Sequence, residues 1–249
     1  MSKIPFVFWI CFCSIFLAAP LSAMTPGEQV ADAVLKLRRK QSYSAVLMTV
    51  MHGGHSRNLF FQAWTKGRDK TFIRFLKPAR ERGNSLLMKD GLMWSYIPKI
   101  NKSVRIPPSM MSQNWMRTDF SYDDLAKADK LAVYYDHQLV GHEKILGRQT
   151  DHIRSVPKEG APVIWGRSEL WIDSAGLILR RQYYNQDQEL VKSLEALRIE
   201  SVEGKEYVMK LQMQISETDK STLLEYKEIR FKEETPDSIF QQSNFKNYE

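Results

Sequence analysis

The sequence predicts a mainly β (α+β) protein: an antiparallel sheet of about ten strands that curls into a barrel or an open half-barrel, with two or three short helices over its concave apolar face. The clearest strand, 207–215, alternates strictly between apolar and polar residues. Turn signals recur at short intervals with few helical patterns between them, which favours an antiparallel meander over βαβ units. A twisted sheet of this size does not stay flat, so we expect it to curl.

The segment 1–23 has the pattern of a secretory signal peptide. Lys3 precedes a mostly apolar run over 4–17, and small residues then lead to a predicted cleavage site near Ala23. The run is too short to span a bilayer comfortably. We therefore predict a periplasmic protein in which 24–249 form one domain.

Export also removes every thiol, because Cys11 and Cys13 both lie in the predicted signal peptide. The mature chain is then expected to have no disulfide, thiolate metal site or cysteine nucleophile.

A helix is predicted directly after the signal peptide. Thr25 can cap it, Pro26 suits the first turn, and Glu28 completes a capping box. Apolar residues then recur at helical spacing up to Leu37, which predicts an amphipathic helix of about four turns.

Thirteen further segments have strand character. The first six are 43–51, 59–65, 71–76, 84–89, 92–97 and 103–106. The other seven are 134–146, 149–156, 165–173, 177–185, 190–202, 207–217 and 223–232. Between the two groups, Pro107-Pro108 precedes candidate short helices at 109–116 and 121–125, and a last short helix is expected at 237–242.

One face of these strands is predicted to form the wall of an apolar ligand-binding cavity. The assignment is best supported on 207–213, whereas the strands around 60, 73 and 86 carry apolar residues on both faces. The predicted wall residues are Val46, Met48, Val50, Phe60, Trp64, Ile73, Phe75, Leu86, Met88, Tyr207, Met209, Leu211 and Met213.

A methionine-rich segment after the double proline is predicted to form a movable cover. Methionine is flexible and is frequent on surfaces that accept varied apolar ligands. The predicted lid residues are Met110, Met111, Trp115 and Met116 in this segment, with Val34 and Leu37 of the first helix.

The sequence gives little support for catalysis. It has no nucleophile elbow, zincin or P-loop motif, and we expect neither an enzyme nor a cofactor. His52 and His55 lie in a glycine-rich turn without a third ligand nearby, so no metal site is predicted. The cluster of Asp119, Asp123 and Asp124 has two open interpretations: a calcium site, or helix capping and ion pairing.

Charge is unevenly distributed. Residues 24–118 contain 17 Lys/Arg and 5 Asp/Glu, whereas 119–249 contain 18 and 24. An exported chain rarely meets nucleic acid, so an anionic membrane surface or an acidic protein is the better partner; a solvated basic face is the alternative. The proposed contributors are Arg38, Arg39, Lys40, Arg80, Arg82, Lys99, Lys102 and Arg105.

One stretch resembles a known family. The segments RGNSLLMKDGLMWSYIPKI (82–100), VRIPPSMM (104–111), NWM (114–116) and DFSYDDL (119–125) are similar to the LolA-like outer membrane lipoprotein-sorting proteins. The resemblance is specific over 78–125. It implies an open half-barrel with helices over an apolar cavity, and a carrier of acylated lipoproteins or lipids across the periplasm.

Three functions remain open at this point. The first is a periplasmic carrier that binds the acyl chains of a lipoprotein or lipid and moves them towards the outer membrane. The second is an accessory protein that docks on an inner-membrane transporter of the RND type without carrying lipid, and the third is an envelope hydrolase. Exposing a sixteen-carbon chain to water costs about 12 kcal/mol, so a carrier needs a long apolar trough and no catalytic group.

Overall fold

The computed structural model describes residues 24–37, 41–67, 69–126, 129–231 and 234–246. The predicted signal peptide and the Arg38–Lys40 triplet lie outside these ranges. Three helices are present there: α1 (Pro26–Leu37), α2 (Tyr122–Ala126) and α3 (Asp129–Tyr134). The strands before α2 are β1 (Gln41–His52), β2 (His55–Lys66), β3 (Lys70–Lys77), β4 (Ser85–Lys89), β5 (Leu92–Ile97) and β6 (Lys102–Arg105). Those after α3 are β7 (Tyr135–Ile145), β8 (Arg148–Pro157), β9 (Arg167–Asp173), β10 (Ile178–Tyr184), β11 (Leu190–Val202), β12 (Lys205–Ile215) and β13 (Ser221–Arg230).

All thirteen strands join one open antiparallel sheet, in the order β6-β5-β4-β3-β2-β1-β13-β12-β11-β10-β9-β8-β7. The predicted mainly β, open half-barrel class is confirmed, but the count of about ten strands is wrong. Even the short strand β6 pairs along its whole length with β5, from Trp94↔Arg105 to Ile97↔Lys102. The pairing of β1 with β13 joins the two halves of the meander, so the first and last strands meet in the middle of the sheet.

The hairpin between β1 and β2 follows the sequence prediction. The pairing runs without a shift from Gln41↔Lys66 to His52↔His55. The two turn residues, Gly53 and Gly54, have φ of 57° and 74°, a region that glycine adopts at no steric cost. The turn therefore sets the register that places alternate β1 side chains on one face.

We define the inner face of the sheet as the one that carries Val46 and Met48, and the outer face as the one that carries Phe72 and Leu87. The outer face of β2–β5 is covered by the C-terminal tail, which forms two short 3-10 turns, Asp237–Phe240 and Gln242–Lys246. Phe245 stacks on Tyr96 with ring centroids 5.2 Å apart. The tail therefore gives these strands a second buried apolar face.

Helix α1 begins as predicted. Thr25 Oγ1 accepts a hydrogen bond from Glu28 N at 3.3 Å, and Thr25 N donates to the Glu28 carboxylate at 2.7 Å. The apolar stripe of α1 packs against α3, β7 and β9, on the half of the sheet that follows α3. Within the described ranges, no helix has both the length and the apolar composition needed to cross a bilayer.

Candidate functional site

The cover segment, residues 109–125, lies on the inner face of β1–β5. Its central side chain is Trp115, which is 4 % exposed. The Trp115 ring centroid lies 5.9 Å from that of Phe61 and 5.4 Å from that of Phe75. The inner face contributes Val46, Met48, Val50, Leu59, Phe61, Ala63, Ile73, Phe75, Leu86, Met88 and Met93 to this cluster, and the cover contributes Met110, Met111, Trp115, Met116, Tyr122 and Leu125.

The first part of the cover is a compact loop and not the helix that we predicted over 109–116, whereas the end of the cover belongs to α2. It contains two 3-10 turns, Pro108–Met110 and Trp115–Arg117. Met116 and Arg117 have φ of 50° and 56°, a left-handed conformation that cannot continue a right-handed helix. Backbone hydrogen bonds instead close the loop on itself, from Trp115 N to Phe120 O at 2.7 Å and from Asp123 N to Met111 O at 2.8 Å.

The tip of the cover is held by an arginine of β2. Arg57 Nη2 donates to the carbonyl oxygen of Met116 at 2.7 Å, and a longer contact of 3.4 Å reaches that of Arg117. Partial burial lowers the pKa of Arg57, and the nearby Glu81 carboxylate opposes that shift. The bond is to backbone, so it holds the loop without depending on the side chains at its tip.

Asp119 fixes the cover to β13 and to β1. Its side chain is 2 % exposed. Thr222 Oγ1 donates to Asp119 Oδ2 at 2.6 Å and accepts from Asp119 N at 3.1 Å. His52 Nε2 lies 3.1 Å from the other carboxylate oxygen. Polar bonds therefore satisfy a carboxylate that would be costly to bury alone.

The other two aspartates of the predicted cluster form separate ion pairs. Asp123 pairs with Lys130 at 2.6 Å, and Asp124 pairs with Lys192 at 2.5 Å. Asp124 also accepts a hydrogen bond from Ser121 N at 2.7 Å, and Ser121 Oγ accepts one from Asp124 N at 3.2 Å, so the two residues form a capping box at the start of α2. Capping and ion pairing thus account for both residues. In the part of the chain that is described, no group of three or more His, Cys, Asp or Glu could hold a metal ion.

A basic groove of about 520 Å³ opens beside the cover tip. Its lining residues are Val50, His52, His55, Ser56, Arg57, Arg80, Glu81, Asn84, Ile97, Lys99 and Arg117. A second cavity of about 310 Å³ shares Arg57, Glu81 and Arg117 with the groove and extends to Phe75 and Trp115 under the cover. The two cavities therefore adjoin, and together they border both a positively charged surface and the apolar cluster.

A separate cavity of about 170 Å³ lies at the other half of the inner face, and we call it the tyrosine cavity. It is mostly apolar, and its lining residues are Phe120, Asp123, Asp124, Lys130, Leu131, Tyr135, Val163, Ile164, Trp165, Ile178, Arg181, Tyr183, Leu194, Ala196, Val208 and Leu211. Burial raises the pKa of Tyr135 to about 12 and also raises the pKa of Tyr183. Both phenols therefore stay neutral at physiological pH.

Two predicted wall residues, Phe60 and Trp64, do not lie on the inner face. Leu59 and Phe61 belong to the inner cluster, so Phe60 between them points to the outer side. Trp64 packs with Phe72 in the outer cluster, at a centroid distance of 5.9 Å. Both faces of β2 are apolar because the tail covers the outer one, and alternation alone does not distinguish them.

The strict alternation predicted along β12 also fails at one point. The register passes from Arg198↔Lys210 directly to Ile199↔Val208, which leaves Met209 as a bulge. Consequently Val208 and Leu211 line the tyrosine cavity, whereas Tyr207 stacks on Phe231 at 4.9 Å. Met213 keeps its predicted side and packs with Phe120 and Tyr183.

The two predicted parts of the lid cover different halves of the sheet. Val34 of α1 is 3 % exposed and packs with Leu131, Ile153 and Leu170 near β7–β9. The side chain of Leu37 lies outside the described part of the structure. The helix and the cover segment therefore do not form one continuous lid over the same cavity.

Sequence reasoning missed the residues that line the tyrosine cavity, apart from Leu211. Arg181 and Tyr183 are two positions apart on β10, and both line the tyrosine cavity. Because one of these positions is an arginine, the sequence pattern did not mark this face of β10 as apolar. Trp165 comes from the loop before β9, where no periodicity applies. The signal that could have indicated this site was Arg181 itself, an arginine on the face of β10 that also carries Tyr183.

The comparisons with known proteins agree with this geometry. The chain resembles a DUF1329 family protein from Desulfovibrio piger, with a TM-score of 0.80, 25% identity, and coverage of 90% of this chain and 100% of that one. It also resembles a Vibrio parahaemolyticus domain described as a putative outer membrane lipoprotein-sorting protein domain, with a TM-score of 0.73, 20% identity, and coverage of 88% and 95%. A LolA superfamily protein from Nitrosomonas europaea gives a TM-score of 0.71, 19% identity, and coverage of 88% and 99%. No curated protein sequence matches the chain.

The open thirteen-stranded sheet with its covered apolar inner face is a half-barrel, the fold that this chain shares with the LolA superfamily protein. A family model with the description "-like: Uncharacterized protein" matches residues 67–247. The chain belongs to that family.

Proposed function

We propose that this protein is a periplasmic carrier, exported by a signal peptide that is cleaved near Ala23, with residues 24–249 as its carrier domain. It binds the acyl chains of a lipoprotein or lipid on the inner face of the half-barrel and moves them towards the outer membrane. The proposed acyl-binding wall consists of Val46, Met48, Val50, Ile73, Phe75, Leu86 and Met88. No catalytic group is required for this function.

The single observation that carries the proposal is the packing of the cover on the inner face. Met110, Met111 and Met116 are partly buried against it, and Trp115 fills its centre. These are long, apolar and mostly unbranched side chains, so they occupy the space in the way that an acyl chain would. We infer that cover and cargo compete for the same surface.

Cavity volumes support a cover that must move. A cavity of about 150 Å³ holds one benzene-sized molecule of six carbons, so a chain of sixteen carbons needs roughly 400 Å³ on the same scale. The cavity under the cover, at about 310 Å³, and the tyrosine cavity, at about 170 Å³, are each too small for such a chain. Displacement of the cover side chains would supply the missing volume, and we infer that the cargo enters beside Arg117, which lines both the basic groove and the cavity under the cover.

The structural relatives support the same class of function. The Vibrio protein is described as a lipoprotein-sorting domain, and it shares the fold over most of both chains. We extend that role to this chain because its inner face is apolar and covered.

The test is binding of a fluorescent fatty acid to variants that weaken the cover. Trp115→Ala removes the ring packed on Phe61 and Phe75, and truncation of a buried tryptophan costs about 3–5 kcal/mol. Since apparent affinity depends on the fraction of molecules with an open cover, we expect binding to strengthen at least tenfold. Trp94→Ala is the matched control, because Trp94 packs in the outer cluster.

The outcomes separate the competing functions. Stronger binding in Trp115→Ala alone supports a carrier whose cover competes with cargo. An accessory protein that docks without lipid would bind no fatty acid in either variant. Equal gains in both variants would indicate nonspecific binding to a loosened fold and would overturn the proposed site.

A further inference from the structure

We propose that the tyrosine cavity beside α3 is a second ligand site, which binds the anionic end of a small amphiphile through Arg181. The ligand class is an alkyl chain that ends in a carboxylate or a phosphate monoester. This site lies on β10 and β11, apart from the acyl-binding wall on β1–β4, so it does not depend on the proposed carrier function.

The charged side chains at the cavity and next to it include one more cation than anion. Four charged side chains line it: Asp123, Asp124, Lys130 and Arg181. Asp123 pairs with Lys130, and Asp124 pairs with Lys192 next to the cavity. Among the side chains that the structure describes, Arg181 forms no ion pair. The site therefore carries a net positive charge in an apolar setting, where an anion is bound more strongly than in water.

The guanidinium of Arg181 is held in place and still has donors to offer. Its Nε donates to Ser168 Oγ at 3.0 Å, and its Cζ lies 4.4 Å from the centroid of the Tyr183 ring. Ser168 is fully buried, so this bond anchors the arginine from behind. Neither terminal nitrogen of Arg181 donates to a described residue, which leaves both for bidentate binding of a carboxylate or phosphate.

The rest of the cavity suits a short apolar tail. Its apolar lining includes Val163, Ile164, Trp165, Ile178, Leu194 and Leu211. A volume of about 170 Å³ accommodates a benzene-sized group. The phenols of Tyr135 and Tyr183 are neutral and do not repel an anion. On the same scale a tail of six to eight carbons needs roughly 150–200 Å³, so we expect a carboxylate or phosphate with such a tail to fit without displacement of the cover segment.

The site can be located by methyl NMR titration of the full mature chain. The probes are octanoate, octyl phosphate and octanol, which share one tail and differ in charge and head group. We expect octanoate and octyl phosphate to shift the methyl resonances of Ile178, Leu194 and Leu211 at concentrations at least tenfold below those that octanol needs. The methyl groups of Val46 and Ile73, on the acyl-binding wall, are the internal reference. A preference for octyl phosphate over octanoate would identify the head group.

A pair of neighbouring arginines supplies the matched variants. Arg181→Gln should weaken octanoate binding about tenfold or more, since it removes a charge-assisted contact, and should leave octanol binding unchanged. Arg180→Gln should leave both unchanged, because Arg180 pairs with Glu143 and Glu195, away from the cavity. Thermal unfolding of each variant checks that the fold is intact.

The results that overturn the proposal are distinct from those that bear on the carrier. Shifts confined to Val46 and Ile73 would remove the second site and support the acyl-binding wall. Equal affinity for octanoate and octanol in the wild-type chain would remove the role of Arg181, and this comparison needs no variant.

Discussion

The Asp124 carboxylate and the Lys192 ammonium form a 2.5 Å ion pair in which each side chain is 5 % exposed. The two residues are 68 positions apart, and the pair joins the C-terminal end of the cover to strand β11. Lys192 Nζ also lies 5.1 Å from the Trp165 ring centroid and 5.0 Å from that of Tyr183. A buried contact thus ties the cover to the second half of the sheet.

Removal of this lysine should destabilise the fold strongly. Lys192→Met leaves the Asp124 carboxylate buried without its cation, which typically costs about 3–5 kcal/mol. We expect the free energy of unfolding in urea to fall by that order, and the double variant Asp124→Asn/Lys192→Met to recover much of it. Lys227→Met is the control, because its ion pair with Glu225 is more exposed and is worth less than about 1 kcal/mol. Equal losses from Lys192→Met and Lys227→Met would contradict the role of the buried pair.

The bond between Thr222 and Asp119 should determine how tightly the cover is held. Thr222→Val removes a hydroxyl that donates at 2.6 Å to a buried carboxylate, at a cost of about 1–3 kcal/mol. We expect faster hydrogen exchange of the amides at 110–120, while those at 209–215 in β12 change little. Thr49→Val removes an exposed bond to Asn58 at 2.9 Å and should leave the cover unaffected. A uniform increase along the chain would show global destabilisation instead.

The basic groove should bind an anionic membrane surface. Arg80, Lys99 and Arg117 line it, and each cation near an anionic bilayer contributes about 1 kcal/mol. Replacement of all three by Gln should weaken binding to phosphatidylglycerol vesicles by about a hundredfold at low salt, with less difference as salt screens the charges. Replacement of three lysines of the other half, Lys205, Lys220 and Lys227, by Gln changes the net charge equally and should have little effect. Equal losses in the two triple variants would show that only net charge matters.

His137 should make the fold less stable in mild acid. Burial lowers the pKa of His137 from its ordinary value of 6.5, with smaller opposing effects from the Leu131 backbone and from Asp136. The unfolded chain therefore binds the proton more readily, so this contribution to stability is complete above about pH 6.5 and decreases as the pH falls below it. We expect His137→Gln to reduce the slope of unfolding free energy against pH between 5 and 7. His55→Gln, in the exposed β1–β2 turn, is the comparison, and an equal change of slope there would contradict the assignment.

The strand set could be predicted from the sequence because its signals are local. Alternation of apolar and polar residues and the Gly53-Gly54 turn each act within a few positions, and all thirteen predicted segments became strands. The cap at Thr25 is equally local. The position of the cover segment in the chain could also be predicted, because its methionines and Trp115 cluster over 110–116. Its backbone conformation could not.

What only the tertiary structure decided is which apolar residues share a space. The tail around Phe245 covers the outer face of β2–β5, so Trp64 is buried there and not in the cavity wall. The bulge at Met209 changes which β12 side chains line a cavity. The charge left on Arg181 depends on the ion pair between Asp124 and Lys192, which are 68 positions apart in the chain. Contacts across a sheet join positions that no sequence period connects, and for that reason only the folded chain could show them.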